Sequence, residues 1–381
     1  MSGQTRHPWR AVFLLLIIAA VCAAAARDFL AARVDEPLYP AASLTKHWRL
    51  SDYVPPLRNT SADTDVYILD GRDPGATALI LGGTHPNEPA GFLAACLILE
   101  NVRVQKGRLI IVPRANHSAF TCTDPGEGNP CVYAIKTPLG ERRFRLGSRY
   151  TNPLDQWPDP EIYLHYPSGQ ELSGGETRNL NRSFPGRVDG NFTERTARGL
   201  LSLIQTEKVD LVIDLHEASP EYPVINAIVM HERATDVAAT ANLQLQASGL
   251  EFALEPSPKN LRGLTHREIG DATSAQAVLM ESANIMQGRL RGRTSAEKII
   301  SGQDACYLSA ARAGLLRVPY DSMGISIGVR VGRHVAGVRA LSETFTSLNP
   351  DRALVLDGIP AYEKVQERGL GFFLEPKKKI E

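Results

Sequence analysis

Apolar residues recur along this chain in short runs separated by Gly, Pro, Asp and Asn, and the spacing within each run predicts its element. Residues 66–69 and 78–81 are apolar runs bounded by such breakers and read as strands, the second ended by Gly82-Gly83. From 89 to 99 the apolar positions take helical spacing, with Pro89 in the first turn, where its missing N–H costs little. Residues 108–112 read as the next strand, so strand, helix, strand suggests a right-handed crossover in a largely parallel sheet. The stretch 115–190 is weakly periodic and rich in Pro, Gly, Asn and Arg, a length of irregular chain that is usually either functional or disordered. Regularity returns with a helix over 193–206, strands over 209–215 and 224–230, a buried strand over 277–280 and a helix over 335–347. The expected fold is one α/β domain, a central mostly parallel (mixed) sheet flanked by helices, with loops gathered at one end of the sheet.

The first residues follow a different pattern. Arg6, His7 and Arg10 precede the run 11–26, which holds no charge, Gly or Pro. That run reads as a targeting segment with three readings: an export signal cleaved after the small residues 24–26, a retained membrane anchor, or a buried helix. The expected organisation is 1–26 as signal peptide or anchor, 27–60 as an irregular lead-in, 61–348 as the catalytic domain and 349–381 as a C-terminal extension. The location implied is periplasmic or secreted, with membrane contact only through the N-terminal segment.

Composition narrows the function. With 43% apolar and 22% charged residues in 381, the chain can bury a sizeable core. Lys+Arg and Asp+Glu both number 42, so no net positive field gathers nucleic acid. Five cysteines without a CxxC pair make a thiolate zinc site improbable. Cys122 and Cys131 bracket a loop, and both a disulfide and two free thiols remain open.

Candidate chemistry sits at strand ends. His85 and Glu88 lie in Gly82-Gly83-Thr84-His85-Pro86-Asn87-Glu88-Pro89, between a strand and a helix, where α/β sheets collect functional groups. Zinc accepts imidazole nitrogen and carboxylate oxygen, and a catalytic site keeps three protein ligands and one open position. His216, in Asp214-Leu215-His216 at the end of an apolar strand, is the third candidate, with Asp214 or Glu217 as the carboxylate that orients a ligand histidine. Glu281 ends the run 277–280 and is the candidate general base. Asn181 and Arg182, in Asn179-Leu180-Asn181-Arg182, offer a clamp for a substrate carboxylate. A further cation is needed against the oxyanion; Arg149 is the first candidate, and Arg178 the second, grouped with the substrate-binding residues.

In these motifs the chain resembles the zinc carboxypeptidase superfamily, and within it the succinylglutamate desuccinylase and aspartoacylase branch. The resemblance follows the order of motifs over roughly residues 60–345 and implies a zinc-carboxypeptidase-like domain holding one Zn2+ per chain. It implies the same roles: His85, Glu88 and His216 on zinc, Asn181 and Arg182 on the substrate carboxylate, Glu281 as base. The expected activity is a deacylase cleaving an amide beside a free carboxylate, as in an N-acyl amino acid. The alternatives are an exported metallocarboxypeptidase acting on peptides or cell-wall fragments, and a non-catalytic carboxylate-binding module. Leu264-Thr265-His266-Arg267-Glu268 is dense in functional groups and is expected to be a surface loop, with pocket lining as the other reading.

Overall fold

The structure, a computed structural model, describes residues 8–374, so Arg6, His7 and residues 375–381 lie outside the described residues. Helix α1 (Pro8–Ala31) opens it, followed by strands β1 (Leu44–Arg49), β2 (Asp65–Asp70) and β3 (Asp73–Leu81), helix α2 (Pro89–Asn101) and strand β4 (Arg103–Val112). The irregular region holds two hairpins, β5 (Val132–Thr137) with β6 (Gly140–Arg145) and β7 (Ile162–Leu164) with β8 (Glu171–Ser173). Next come α3 (Phe192–Thr206), β9 (Leu211–Ala218), β10 (Ala227–Met230), α4 (Thr235–Ala247), β11 (Ala253–Pro256), α5 (Thr265–Ala272) and β12 (Gln276–Ala283). The chain ends on α6 (Ala296–Ser301), α7 (Ala305–Arg312), α8 (Ile327–Leu348), β13 (Val355–Asp357), α9 (Tyr362–Arg368) and α10 (Leu370–Phe373).

The main sheet has nine strands in the order β1-β2-β4-β3-β9-β12-β10-β11, with β13 also on β4. Its centre, β4-β3-β9-β12, is parallel, while β1, β2, β10 and β13 join antiparallel to their inner neighbours. Period-2 alternation sends Ile80, Ile111, Ile213, Leu215 and Met280 into the larger core under α2, α4 and α8. Leu79, Leu81, Ile110, Val112 and Val212 enter a second core under α3 and α5. With both faces covered, the central strands read as continuous apolar runs.

Two segments depart from expectation. The lead-in is not irregular throughout: β1 pairs with β2, and Glu36, nearly buried, meets Arg114 and Arg145. Its strand was hidden because β1 is an exposed edge strand, and edges carry polar residues without apolar alternation. The apolar N-terminal run forms a longer helix than the run itself, α1, with a mean hydropathy of 2.3 and none of its window buried. At 1.5 Å per residue it spans roughly 36 Å, enough for a hydrocarbon layer of about 30 Å.

Alternation in β9 decides the placement of three acids and bases at once. Asp214 and His216 project to the α5 side, and Glu217 to the α2/α8 side, where it meets Arg330 at 2.8 Å with both side chains fully buried. The other oxygen of Glu217 accepts the backbone N–H of Ala90 in the first turn of α2 at 2.9 Å. Breaking a buried pair leaves one charge unmatched, so Arg330→Ala is expected to cost about 3–5 kcal/mol in denaturant unfolding; a loss below roughly 1 kcal/mol would mean that this pair does not anchor α2.

Candidate metal centre

The chain turns out of β3 through Gly83, whose φ of +63° belongs to the left-handed region open to glycine. His85 follows, and the backbone N–H of Glu88 closes a turn onto its carbonyl at 2.9 Å. Glu88 is the N-cap of α2, yet its side chain makes no capping bond. The helix start is satisfied otherwise: Pro89 has no N–H to satisfy, and Glu217 accepts from Ala90. The Glu88 carboxylate is thereby released to face the sheet end.

There it meets both imidazoles. His85 Nδ1 lies 2.9 Å from Glu88 Oε1 and His216 Nδ1 lies 3.0 Å from Oε2, with the two rings edge to face at 4.7 Å. One ligand atom from each of the three residues falls within 4.8 Å of the others, and all three side chains are buried. Each far nitrogen is held separately. His85 Nε2 is 2.8 Å from Asn179 Oδ1, and His216 Nε2 is 2.8 Å from Asp214 Oδ2. Asn179 is itself fixed, its amide donating to Glu176 at 2.7 Å, and Asp214 accepts from Thr84 at 2.8 Å.

With Nε2–H of His85 donated to Asn179, a neutral ring turns an Nδ1 lone pair toward a carboxylate oxygen, an arrangement that a cation between them would satisfy. Two imidazole nitrogens and one carboxylate oxygen are a donor set suited to zinc. Electrostatics separate the rings in the metal-free state. Burial, reinforced by Arg149, lowers the pKa of His85 to about 4. Burial also acts against charge on His216, but Asp214 and Glu88 outweigh it and hold that ring protonated, its pKa well above the usual value. Burial favours neutral Glu88, and the two imidazoles override it, keeping the carboxyl well below the usual range.

Glu281 stands beside His216 in the register of β12 on β9. Burial, and then the Glu88 charge, push its pKa up to about 8, and its Oε2 has no hydrogen-bond partner. Both belong to a cavity of about 380 Å³ that also exposes Arg149, Asn181 and Arg182. Arg149 Nη1 lies 3.0 Å from Glu88 Oε1. Asn181 accepts from the backbone N–H and hydroxyl of Thr265 at 2.8 and 2.9 Å, which commits its carbonyl oxygen and leaves its amide NH2 to meet a carboxylate. Burial, and then the charge of Arg149, act against the charge on Arg182 and lower its pKa.

Of the residues singled out in the sequence, the structure brings His85, Glu88, His216, Glu281, Arg149, Asn181 and Arg182 to one cavity. Arg178 is a correction: its Nε and Nη2 close on Asp159 at 2.6 and 2.8 Å and its Nη1 on the Thr151 carbonyl, so it does not line the cavity. Asp214, not Glu217, orients His216. Cys122 and Cys131 are free thiols. The segment expected as a surface loop is corrected too: it starts α5, and Thr265 through Glu268 are buried. Asn179 and Gln287, which donates to Glu88 at 3.2 Å, were missed as site residues. Asn179 had a signal, the first Asn of Asn-Leu-Asn-Arg, whereas Gln287 had none.

Residues 144–298 match the model of the succinylglutamate desuccinylase/aspartoacylase catalytic domain, a span that contains Arg149, Asn181, Arg182, His216 and Glu281 and begins after His85 and Glu88. An N-alpha-acetyl-L-2,4-diaminobutyric acid deacetylase of Halomonas elongata is 29% identical over 162 residues, 42% of this chain and 34% of the relative. The match thus spans about a third of that relative's length. Among solved structures, the apo cell shape determinant protein Csd4 of Helicobacter pylori has a TM-score of 0.46 at 14% identity, covering 80% of this chain and 59% of that one. The ectoine utilization protein EutE (DoeB) of Ruegeria pomeroyi has a TM-score of 0.38 at 19% identity, covering 73% and 60%. Residues 144–298, which carry Asn181, Arg182, His216 and Glu281 in motif order, are thus similar to the succinylglutamate desuccinylase/aspartoacylase catalytic domain over less than half of the chain, and they lie on a mixed, centrally parallel sheet.

Proposed function

We propose that this protein is a zinc-dependent amide hydrolase that cleaves an amide next to a free carboxylate, its substrates being N-acyl amino acids. The observation that carries the reading is the convergence of two imidazole Nδ1 atoms on one buried carboxylate, beside a second, half-buried glutamate whose buried Oε2 is unpartnered. The deacetylase and desuccinylase names of the matched proteins support the amide-hydrolase class.

In this reading His85, Glu88 and His216 hold one zinc ion, with Asn179 and Asp214 fixing the rings from behind. Bound there, zinc supplies a Lewis acid that polarises the carbonyl and makes water a nucleophile near neutral pH. Arg182 and the Asn181 amide bind the substrate carboxylate, and so set the scissile bond between clamp and metal centre. Glu281 takes a proton from the attacking water and passes it to the departing nitrogen. Arg149 stabilises charge on the carbonyl oxygen. Helix α1 serves export or anchoring, which leaves the cavity outside the cytoplasm.

Chelation of the purified protein and, separately, Glu281→Gln are each expected to lower kcat on N-acetyl amino acids by about 10²-fold or more; full activity surviving both would contradict the mechanism. Longer C-terminal peptides outcompeting short acyl amino acids would shift the assignment to a carboxypeptidase. Zinc added to the metal-free protein near pH 7 should displace roughly one to two protons, that of His216 and the one Glu281 still holds, so affinity should rise with pH. Calorimetry in buffers of different ionisation enthalpy reads that number, and a heat independent of buffer would contradict it. Glu281 keeps in the metal-free fold a proton that the unfolded chain gives up, so its contribution to stability falls as pH rises from about 4.5 to about 8. Glu281→Gln lacks this loss, so its melting-temperature advantage over wild type should grow across that window by roughly a few degrees; a constant difference would show that Glu281 titrates normally.

A further inference from the structure

His266 lies in the first turn of α5 and is buried, 3% exposed, yet neither of its ring nitrogens has a hydrogen-bond partner. A neutral imidazole carries one donor and one acceptor, and leaving such groups unpaired inside a protein costs about 1–3 kcal/mol. A core histidine normally finds a partner, as His334 does with Ser282 at 3.0 Å. His266 does not sit in the core. It lines the same cavity as the metal centre, among Val229, Leu261, Leu264 and Leu279.

The ring is held where a ligand would meet it. Thr265, the preceding residue, binds Asn181 through both backbone and hydroxyl. Glu268, one half-turn on, accepts the Gly263 N–H at 3.0 Å and pairs with Arg262 at 2.8 Å. Gly263 has a φ of +83°, and a Cβ there would come within 2.2 Å of the Arg182 carbonyl oxygen, so loop and clamp are packed as one frame. The charged groups acting most on His266 are Asp214 and His216 on the metal side, then Arg267 and Arg182, the last from the clamp. The ring lines the same cavity as the clamp and the metal centre, the two points that a substrate of the proposed class must bridge, and its chain neighbour Thr265 is bonded to the clamp residue Asn181. What spans that gap in such a substrate is its amide.

We propose that His266 is a further substrate-contacting residue, a neutral hydrogen-bond partner for the uncharged amide of the substrate as it lies between the carboxylate clamp and the metal centre. The inference rests on the amide-hydrolase reading. The apolar side chains of the cavity wall, Val229, Leu261, Leu264 and Leu279, fit that assignment, since they disfavour a further charge but leave room for a polar, uncharged group. A free hydrogen-bonding group in a cavity wall that mixes apolar and polar side chains orients a ligand more than it adds affinity from area.

The test uses zinc-loaded full-length protein and N-acetyl-L-leucine as probe. His266→Phe, which fills the space without hydrogen bonding, is expected to lower kcat/KM by roughly 10- to 100-fold. Zinc content and melting temperature should stay at wild-type values, and His266→Gln, which keeps a donor and an acceptor, should recover part of the loss. In a Glu281→Gln background, where the probe persists, calorimetry should show a comparable loss of affinity on adding His266→Phe. Wild-type turnover with His266→Phe unchanged in both kcat/KM and affinity would overturn this inference and leave the hydrolase reading intact. A loss accounted for by lost zinc or unfolding would overturn it as well. A wild-type protein that neither cleaves nor binds N-acyl amino acids would overturn the hydrolase reading, and this inference with it.

Discussion

The Glu88 carboxylate is shared by two imidazoles that are each tied down at the opposite nitrogen, and most of the surrounding structure exists to make that sharing possible. A carboxylate at a helix N-terminus is drawn to the helix's own unpaired N–H groups. Here Pro89 removes one orphan donor and Glu217 takes another, so Glu88 is free to face the strand ends. Glu217 can do so only because Arg330, from α8 packed beside α2, neutralises it inside the core. The backbone N–H of Glu217 then returns to Glu88 Oε2 at 3.0 Å. One strand, β9, supplies His216 and Asp214 on one face and Glu217 on the other, coupling the site directly to the packing of the helical layer.

That coupling has an energetic consequence. Two ionisable groups are held in the interior without full compensation: Glu281 with an unpartnered oxygen, and His85 denied its charge by burial. Each is unfavourable for folding alone, and such local conflicts gather where a site does chemistry. A divalent cation between the three candidate ligands would relieve much of it by removing a proton and balancing two carboxylates. The fold, with apolar residues on both faces of the central strands, tolerates the burden at one end because the rest of the sheet is a conventional core.

Much of this was legible beforehand, for identifiable reasons. Buried parallel strands write themselves as apolar runs, so β3, β9 and β12 were readable, and with them the strand-end positions of His85, His216 and Glu281. Choosing between Asp214 and Glu217 required knowing which helices cover which face, and that is tertiary information. The edge strand β1 and the three-residue strands β7 and β8 lack a periodic apolar face, so no pattern announced them, whereas β5 buries Tyr133 and Ile135 on one face in a run too short to stand out. Arg178 and Arg182 look equivalent in sequence; a single acid in a distant loop, Asp159, distinguishes them. His266 lay in a segment whose polar density suggested the surface, although the same density served the Arg182 frame.

The claim on which everything rests is that His85, Glu88 and His216 share one ion. Anomalous diffraction collected across the zinc absorption edge from crystals of the zinc-loaded protein addresses it without reference to activity. The account predicts a single strong peak about 2.0–2.2 Å from His85 Nδ1, His216 Nδ1 and a Glu88 carboxylate oxygen. A peak bound by other residues, or no ordered zinc at these three, would contradict it.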